Sequence, residues 1–313
     1  MTSTLCRRTS TTLFALAAAA CATGSAAETS LPFDEARAWA HLEKIVAFGP
    51  RPAGSTKLDR LRDYLKVELE KLGLEPVIEE FLDMTPNGEV RFANLYADIP
   101  ARAKDGAEPP IVVLCTHIDT KRLPFHFVGA NDGGSGTAVL LELARCLVGA
   151  DEPTGITYRI LFLDGEEAFG PVWKDPDNRY GSRYHVKRLQ ETGVISRVKA
   201  CILLDLVGDV DLRLQRDLNS DQALLSIFFE AARAAGMERE VSGGRNEIKD
   251  DHLSFLSAGI PSVDLIDLEY GPYNKWWHTA EDTLERCSRK SLGAAGRIVL
   301  LGLPAVERLL TGS

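Results

Sequence analysis

The stretch that most constrains this chain is Tyr158 to Phe169, YRILFLDGEEAF, where a strand-forming apolar run ends abruptly in three acids and a glycine. Ile160 to Leu163 is continuous, apolar and too short for a helix, the pattern of a strand covered on both faces in a sheet with helices on each side. Ligands of such sheets lie beyond the carboxyl ends of the strands. Asp164, Glu166 and Glu167 therefore mark where chemistry is expected. Adjacent glutamates leaving a strand tip point in different directions, so one can bind a metal while its neighbour handles protons.

Two further buried strands end in the same way. Ile111 to Cys115 runs into Thr116-His117-Ile118-Asp119, and a histidine two residues from an aspartate suits a metal ligand oriented by a second carboxylate. Ala200 to Leu204 runs into Asp205. Between them, Asn131-Asp132 precedes a glycine-rich turn and a helix expected from Thr137 to Leu147, with small residues that let the backbone approach a ligand. Three strand tips carrying His117, Glu166/Glu167 and Asp205 describe a site assembled along one sheet edge. Trp173, in the loop after the acidic tip, reads as a lid residue or a surface anchor.

The remaining chain supplies the covering layers. Helices are expected at Asp34 to Phe48, from Ser55 with leucines at 58, 61, 65, 69 and 72, up to Gln190, at Asp221 to Ala235, in a short turn from Asp250, and at Ser291 to Leu310. Val77 to Phe81 and Val90 to Ala97 flank Pro86-Asn87-Gly88 as an antiparallel pair, and Ser262 to Ile266 is a strand. No Gly/Ser/Pro linker divides the 313 residues. The expected fold is one α/β domain: a mixed, largely parallel central sheet with helices on both faces.

Residues 1 to 27 carry Arg7 and Arg8, an apolar run from Leu13 to Cys21 and small residues ending in Ser25-Ala26-Ala27, the layout of a signal peptide. The run is too short to span a membrane, so an exported catalytic domain of residues 28–313 is expected. A lipidated Cys21 is the second possibility. Removing two arginines and no acids takes the net charge from -9 to -11, which disfavours a nucleic-acid partner. Cys115, Cys146, Cys201 and Cys287 remain, widely spaced and as compatible with buried thiols as with a bridge.

His117-Ile118-Asp119, Asn131-Asp132-Gly133, Gly165-Glu166-Glu167, Asp205, Asp251-His252 and His278-Thr279 occur in the order and rough spacing of the zinc aminopeptidase superfamily, over nearly all of the mature chain. Within it the sequence resembles most the animal-type, zinc-dependent glutaminyl-peptide cyclotransferases. FVGANDG, DGEEAF with a following tryptophan and YGSR, LLDLVG, DDHLSFL-x-x-GIP and Trp277-His278-Thr279 carry that likeness. The resemblance implies one zinc per chain on Asp132, Glu167 and His278, and Glu166 as general base and acid. It implies Asp205 and Asp250 as a hydrogen-bond network beside that base, with Trp277 and Trp173 as pocket residues. It also implies cyclisation of peptides beginning with glutamine, with release of ammonia. A monomer is expected.

Three departures from the animal pattern stand out. Trp173 lies one residue further from DGEEAF, Thr137 occupies the position of the second cysteine of the animal disulfide, and the loop GDVDL after Asp205 differs. The alternative is an exported two-zinc aminopeptidase, which would use His117 and Asp205 for a second metal around Asp132. A noncatalytic relative of the same fold would show eroded ligands, and none is eroded here. N-terminal sequencing of the exported protein is expected to return Glu28, or a lipidated Cys21 in the alternative; a chain that keeps Met1 refutes both.

Overall fold

A computed structural model describes residues 33–101, 108–150 and 154–311, so the leader expected at residues 1–27 lies outside the described residues. The strands are β1 Val77–Thr85, β2 Gly88–Ile99, β3 Ile111–His117, β4 Thr157–Leu163, β5 Val198–Asp205, β6 Arg216–Asp217, β7 Arg245–Asn246 and β8 Ser262–Ile266. The helices are α1 Glu35–Ala47, α2 Thr56–Lys71, α3 Gly134–Val148, α4 Tyr180–Glu191, α5 Gln222–Ala234, α6 His252–Ser257 and α7 Arg289–Thr311. Asp34 caps α1, Ser55 caps α2 and Asp221 caps α5 by accepting backbone N–H groups in each first turn.

Six strands form one sheet in the order β1-β2-β4-β3-β5-β8, and β6 pairs with β7 as a small ribbon. β4, β3, β5 and β8 run parallel, while the β1–β2 hairpin joins antiparallel through β2. This is the mixed, largely parallel sheet expected. The hairpin reaches further than its apolar residues indicate, because pairing continues to the two-residue turn from Thr85 to Gly88. Leu82 and Met84 in the extension are exposed, so they leave no burial pattern in the sequence.

Alternate residues of the parallel strands face opposite layers. Val112, Leu114, Ile160, Phe162, Ile202 and Leu204 join a core with residues of α1, α2, α3, α5 and α7. Val113, Cys115, Leu161, Leu163, Cys201 and Leu203 pack on the other face against Val186 and Leu189 of α4 and Phe255 of α6. β3 lies between β4, reached over α3 on one face, and β5, reached over α4 on the other. The carboxyl ends of β3, β4 and β5 flank this switch point, where a crevice opens in such sheets.

The helix after Asp132 begins three residues earlier than expected, at Gly134 rather than Thr137. Its glycines serve close packing rather than approach to a ligand. A methyl group at Gly136 would lie 2.3 Å from Thr116 Oγ1 and 2.5 Å from the Leu204 carbonyl, so only glycine lets α3 settle on β3 and β5. All four cysteines are buried and free; Cys115 and Cys201 on neighbouring strands meet as thiols, 3.5 Å between sulfurs. Among the described residues no helix is long and apolar enough to cross a membrane.

Asp164 departs from its expected place in the chemistry. Its Oδ2 accepts from Arg62 at 2.8 Å and from the Ala93 N–H at 2.8 Å, and the pair is buried beneath the hairpin. Arg62 also donates to the Ala93 carbonyl, so the two side chains rivet α2, β2 and the tip of β4 together. Removing one partner of a buried pair strands the other charge in a poor dielectric. Arg62→Ala is therefore expected to destabilise the fold by about 3–5 kcal/mol in denaturant titrations.

Candidate active site

Asp119, one residue beyond β3 and Ile118, shapes the acidic tip of β4. Its carboxylate accepts the backbone N–H of Gly165 at 3.0 Å, of Glu166 at 3.1 Å and of Glu167 at 3.3 Å. Fastened in this way, the two glutamates diverge. Glu167 Oε1 meets His278 Nε2 at 3.0 Å and its Oε2 accepts from Lys121 at 3.0 Å. Glu166 turns away into a cavity, where Trp173 donates its indole N–H to Oε1 at 2.7 Å.

That cavity has a volume of about 280 Å³ and gathers all eight candidate residues: Asp132, Glu166, Glu167, Trp173, Asp205, Asp250, Trp277 and His278. His117 sits directly behind, with Nε2 3.3 Å from Asp132 and 3.2 Å from Asp205. Asp132 thus stands between two histidines, since His278 Nε2 lies 3.1 Å from its other oxygen. Among the described residues two groups of side chains could hold a metal ion: Asp132, Glu167 and His278, and His117, Asp132 and Asp205. Asp132 is free for this because Gly133 occupies the cap position of α3 without a side-chain bond.

The electrostatics follow from burying acids together. Burial pushes the Glu166 carboxyl well above its ordinary range, and the charges of Asp250 and Glu167 push further. Asp250 is raised well above its ordinary range, first by burial and then by Asp205 and Asp251. Burial raises Asp205 as well, against the pull of His117. Burial alone would lower both histidines, yet Asp119, Asp132 and Asp205 hold His117 well above its ordinary value, and Glu167 and Asp132 bring His278 to about 9. The arrangement is a cradle that demands positive charge.

Trp173 turns towards the cavity rather than lying out as a surface anchor. Its loop is closed by Asp177, which accepts the N–H groups of Phe169 and Gly170 and the Tyr180 hydroxyl. Trp277 stacks on His278 with ring centroids 4.0 Å apart, and Phe127 meets the same imidazole edge-on. Asp251 and His252 do not reach the cavity. Asp251 accepts from Ser182, and His252 is wholly buried beside Asp217.

Several supporting residues were not singled out from the sequence. Asp282 accepts the N–H groups of Asn131 and Asp132 and the Tyr270 hydroxyl, which fixes the turn before α3. Arg51, wholly buried in what reads only as a turn-rich loop, donates to the carbonyls of Ile118, Val128 and Gly129. Lys121 carries no motif at all. Arg51, between two prolines, was the one detectable signal, as a charge in an otherwise compact turn.

Residues 94–302 match the model of peptidase family M28. The chain belongs to that family. Among M28-like structures it is similar to the crystal structure of an Acidobacteriales bacterium glutaminyl cyclase, at 32% identity over 91% of this chain and 98% of that one, with a TM-score of 0.84. It is also 29% identical to the glutaminyl-peptide cyclotransferase of Drosophila melanogaster, over 87% of this chain and 80% of that protein. A Zn-dependent exopeptidase from Parabacteroides distasonis superposes with a TM-score of 0.75 at 27% identity, over 86% of this chain and 97% of that one. The mixed sheet is thus a scaffold shared with both glutaminyl cyclases and a Zn-dependent exopeptidase, and the relatives place this chain in the glutaminyl cyclase class.

The clamp at Asp119 is the M28 site's most exacting local feature, since it sets where both glutamates point. In Asp119→Asn an amide NH₂ would have to face at least one of the three N–H donors. Activity is expected to fall about 10- to 100-fold, the usual effect of losing a residue that orients ligands. Thermal unfolding and kinetics on the same preparation separate this loss from simple misfolding.

Proposed function

We propose that the chain cyclises the N-terminal glutamine of peptides to pyroglutamate with a single bound zinc ion. The observation that carries this reading is the divergence of Glu166 and Glu167: one faces His278 and Asp132, the other faces the cavity beside Trp173 and Asp250. The residues fit the ion. His278 Nε2 has carboxylate oxygens at 3.0 and 3.1 Å, more than one N–H can serve, and buried Asp132 Oδ2 finds no hydrogen bond. Ligand atoms on a tetrahedral zinc with bonds of about 2.0 Å lie about 3.3 Å apart, close to this spacing. Asp132, Glu167 and His278 would hold it and leave the fourth position open.

When bound, zinc acts as a Lewis acid on the side-chain amide of the substrate. The substrate brings its own nucleophile. Its α-amine attacks the amide carbon, a ring C–N bond forms, and the amide C–N bond breaks to release ammonia. Glu166 takes the proton from the amine and returns one to the leaving nitrogen, with Trp173 holding its carboxylate in place. A carboxyl raised by burial is suited to both steps. Asp250 lines the same cavity and is itself raised by burial, so it stands as a second carboxyl able to exchange a proton there. Trp277 and Trp173 wall the folded glutamine side chain, and ring closure supplies proximity.

An aminopeptidase with two metals is the second reading, favoured by the group His117, Asp132 and Asp205. The cyclase reading has the stronger support, because Asp250, Trp173 and Trp277 line the cavity that Glu166 faces, and because the glutaminyl cyclase structure shares 32% identity with this chain against 27% for the exopeptidase. Export with removal of residues 1–27, and action of residues 28–313 as a monomer, complete the proposal.

Purified protein is expected to release ammonia from a short peptide beginning with glutamine, to carry one zinc per chain and to leave leucine chromogenic amides uncut. Glu166→Gln should lower kcat by about 10²- to 10⁴-fold with zinc retained, whereas Glu167→Gln should lose the metal. Equal zinc loss in both variants refutes the division of roles. Two zincs together with release of amino-terminal residues would assign the peptidase instead.

A further inference from the structure

Trp173 reaches the active-site cavity from a stretch that is otherwise open to solvent: Pro171, Val172, Lys174, Asp175 and Pro176 around it are exposed. Packing within that stretch therefore does not explain why the indole stays on Glu166. Among the described residues its ring has one hydrogen-bond acceptor and one cation. The acceptor is Glu166 Oε1 at 2.7 Å, and the cation is the Arg179 guanidinium, whose Cζ lies 5.5 Å from the ring centroid. A guanidinium within about 6 Å of an indole face is attracted to the negative face of the π-system.

Arg179 is unusual in two ways. It is charged yet only 8% exposed, and its backbone φ of 50° lies in the left-handed region, where a bulky residue persists only if its surroundings over-determine it. Those surroundings are the acidic tip of β4. The Arg179 N–H donates to the Glu166 carbonyl at 3.0 Å, and the Tyr180 N–H donates to the Gly165 carbonyl at 2.8 Å. Arg179 Nη2 donates to Asp175 Oδ1 at 2.6 Å, and Nε donates to Asn178 Oδ1 at 3.2 Å. The Asp175 side chain is 66% exposed, and an ion pair with so open a partner contributes little. That pair alone does not account for a buried guanidinium; the contact with Trp173 does.

We propose that Arg179 is a positioning residue for Glu166, acting through Trp173. The contacts close a ring that begins and ends on one residue: the Glu166 carbonyl holds the Arg179 backbone, the Arg179 side chain holds the Trp173 ring, and the indole N–H holds the Glu166 carboxylate. Without the cation, the indole is free to leave with its exposed loop, and the carboxylate loses that donor and can rotate. Displacing a reacting group by about 1 Å can cost a rate factor on the order of 10². The inference rests on Glu166 being the base of the proposed cyclisation, a role it would keep in a two-metal aminopeptidase.

A double-mutant cycle of Arg179→Met and Trp173→Phe in the zinc-loaded domain tests it. Methionine keeps a long apolar stem without the charge, and phenylalanine keeps a ring without the N–H. Arg179→Met is expected to lower kcat about tenfold with KM and zinc content little changed, and Arg179→Lys, which restores a cation, to recover part of the loss. In the Trp173→Phe protein, adding Arg179→Met should change kcat by less than about twofold, because the route through the indole N–H is already cut. Acrylamide quenching of tryptophan emission reads the link without turnover: Arg179→Met should expose one further indole, and that gain should vanish in Trp173→Phe. If the unsubstituted enzyme frees amino-terminal residues instead of ammonia, the cyclase reading fails and the cycle is read on that hydrolysis. With neither activity, the quenching decides. Thermal unfolding is followed on the same preparations, and Arg179→Lys takes the place of Arg179→Met in the cycle if the latter does not fold. Losses in kcat that multiply independently, a loss confined to KM, or quenching unchanged by Arg179→Met overturns the inference.

Discussion

Acidic side chains buried together at one end of a sheet are the constraint on which this structure depends. Asp132, Glu166, Glu167, Asp205 and Asp250 are all buried where β3, β4 and β5 end. Each raises the free energy of its neighbours' charges, and little water is present to screen them. The fold answers with His117, His278 and Lys121, with the amino-terminal end of α3 beside Asp132, and with a cradle suited to a metal ion. What would be a liability in a merely structural region is here the source of reactivity, because groups held away from their ordinary protonation states are those able to exchange protons.

Such a cluster works only if its members cannot relax apart. Asp119 fixes the tip of β4 through backbone N–H groups, Asp282 fixes the turn carrying Asp132, and Asp177 closes the loop carrying Trp173. Arg51 ties the segment after β3 to the turn before α3 through three carbonyls. Rotation of a side chain in the cavity is therefore opposed by backbone hydrogen bonds, which yield less readily than side-chain packing. His278 itself adopts a left-handed backbone conformation, with φ of 53°, and Trp277 stacked on its ring holds that orientation.

The wall from Ile266 to His278 gives the architecture a second consequence. Because it continues directly from β8, its first residues keep the alternation of the strand, with Ile266 and Leu268 at the active-site cavity and Asp267 and Glu269 at a second one. One face meets the reacting residue, while the other is acidic and aromatic.

The strands ending in His117, the paired glutamates and Asp205 were legible in the sequence, because burial on both faces demands unbroken apolar runs and a polar end to such a run is conspicuous. The leucine stripe of α2 and the helix starts at Asp34, Ser55 and Asp221 were equally plain to within a residue, since these signals are local and periodic. The family likeness placed Asp132, His278, Asp250 and the tryptophans, and the fold brought all of them to one cavity. Asp164 was misread: a carboxylate at a strand tip looks the same whether it faces a ligand or Arg62, which is far away in sequence and arrives only when α2 packs beneath the hairpin. The packing role of Gly136, within α3, was not foreseen for the same reason, as the Thr116 and Leu204 atoms it makes room for come from other strands. Lys121 and Asp282 left no pattern, and Arg51 left only a charge between two prolines, because their roles consist of distances between segments. Sequence by itself determined which residues could be reactive and which faces would be buried; only the tertiary structure decided which buried acids confront one another and which find a partner, because electrostatic energy in a buried site depends on separations of a few ångströms that chain order does not encode.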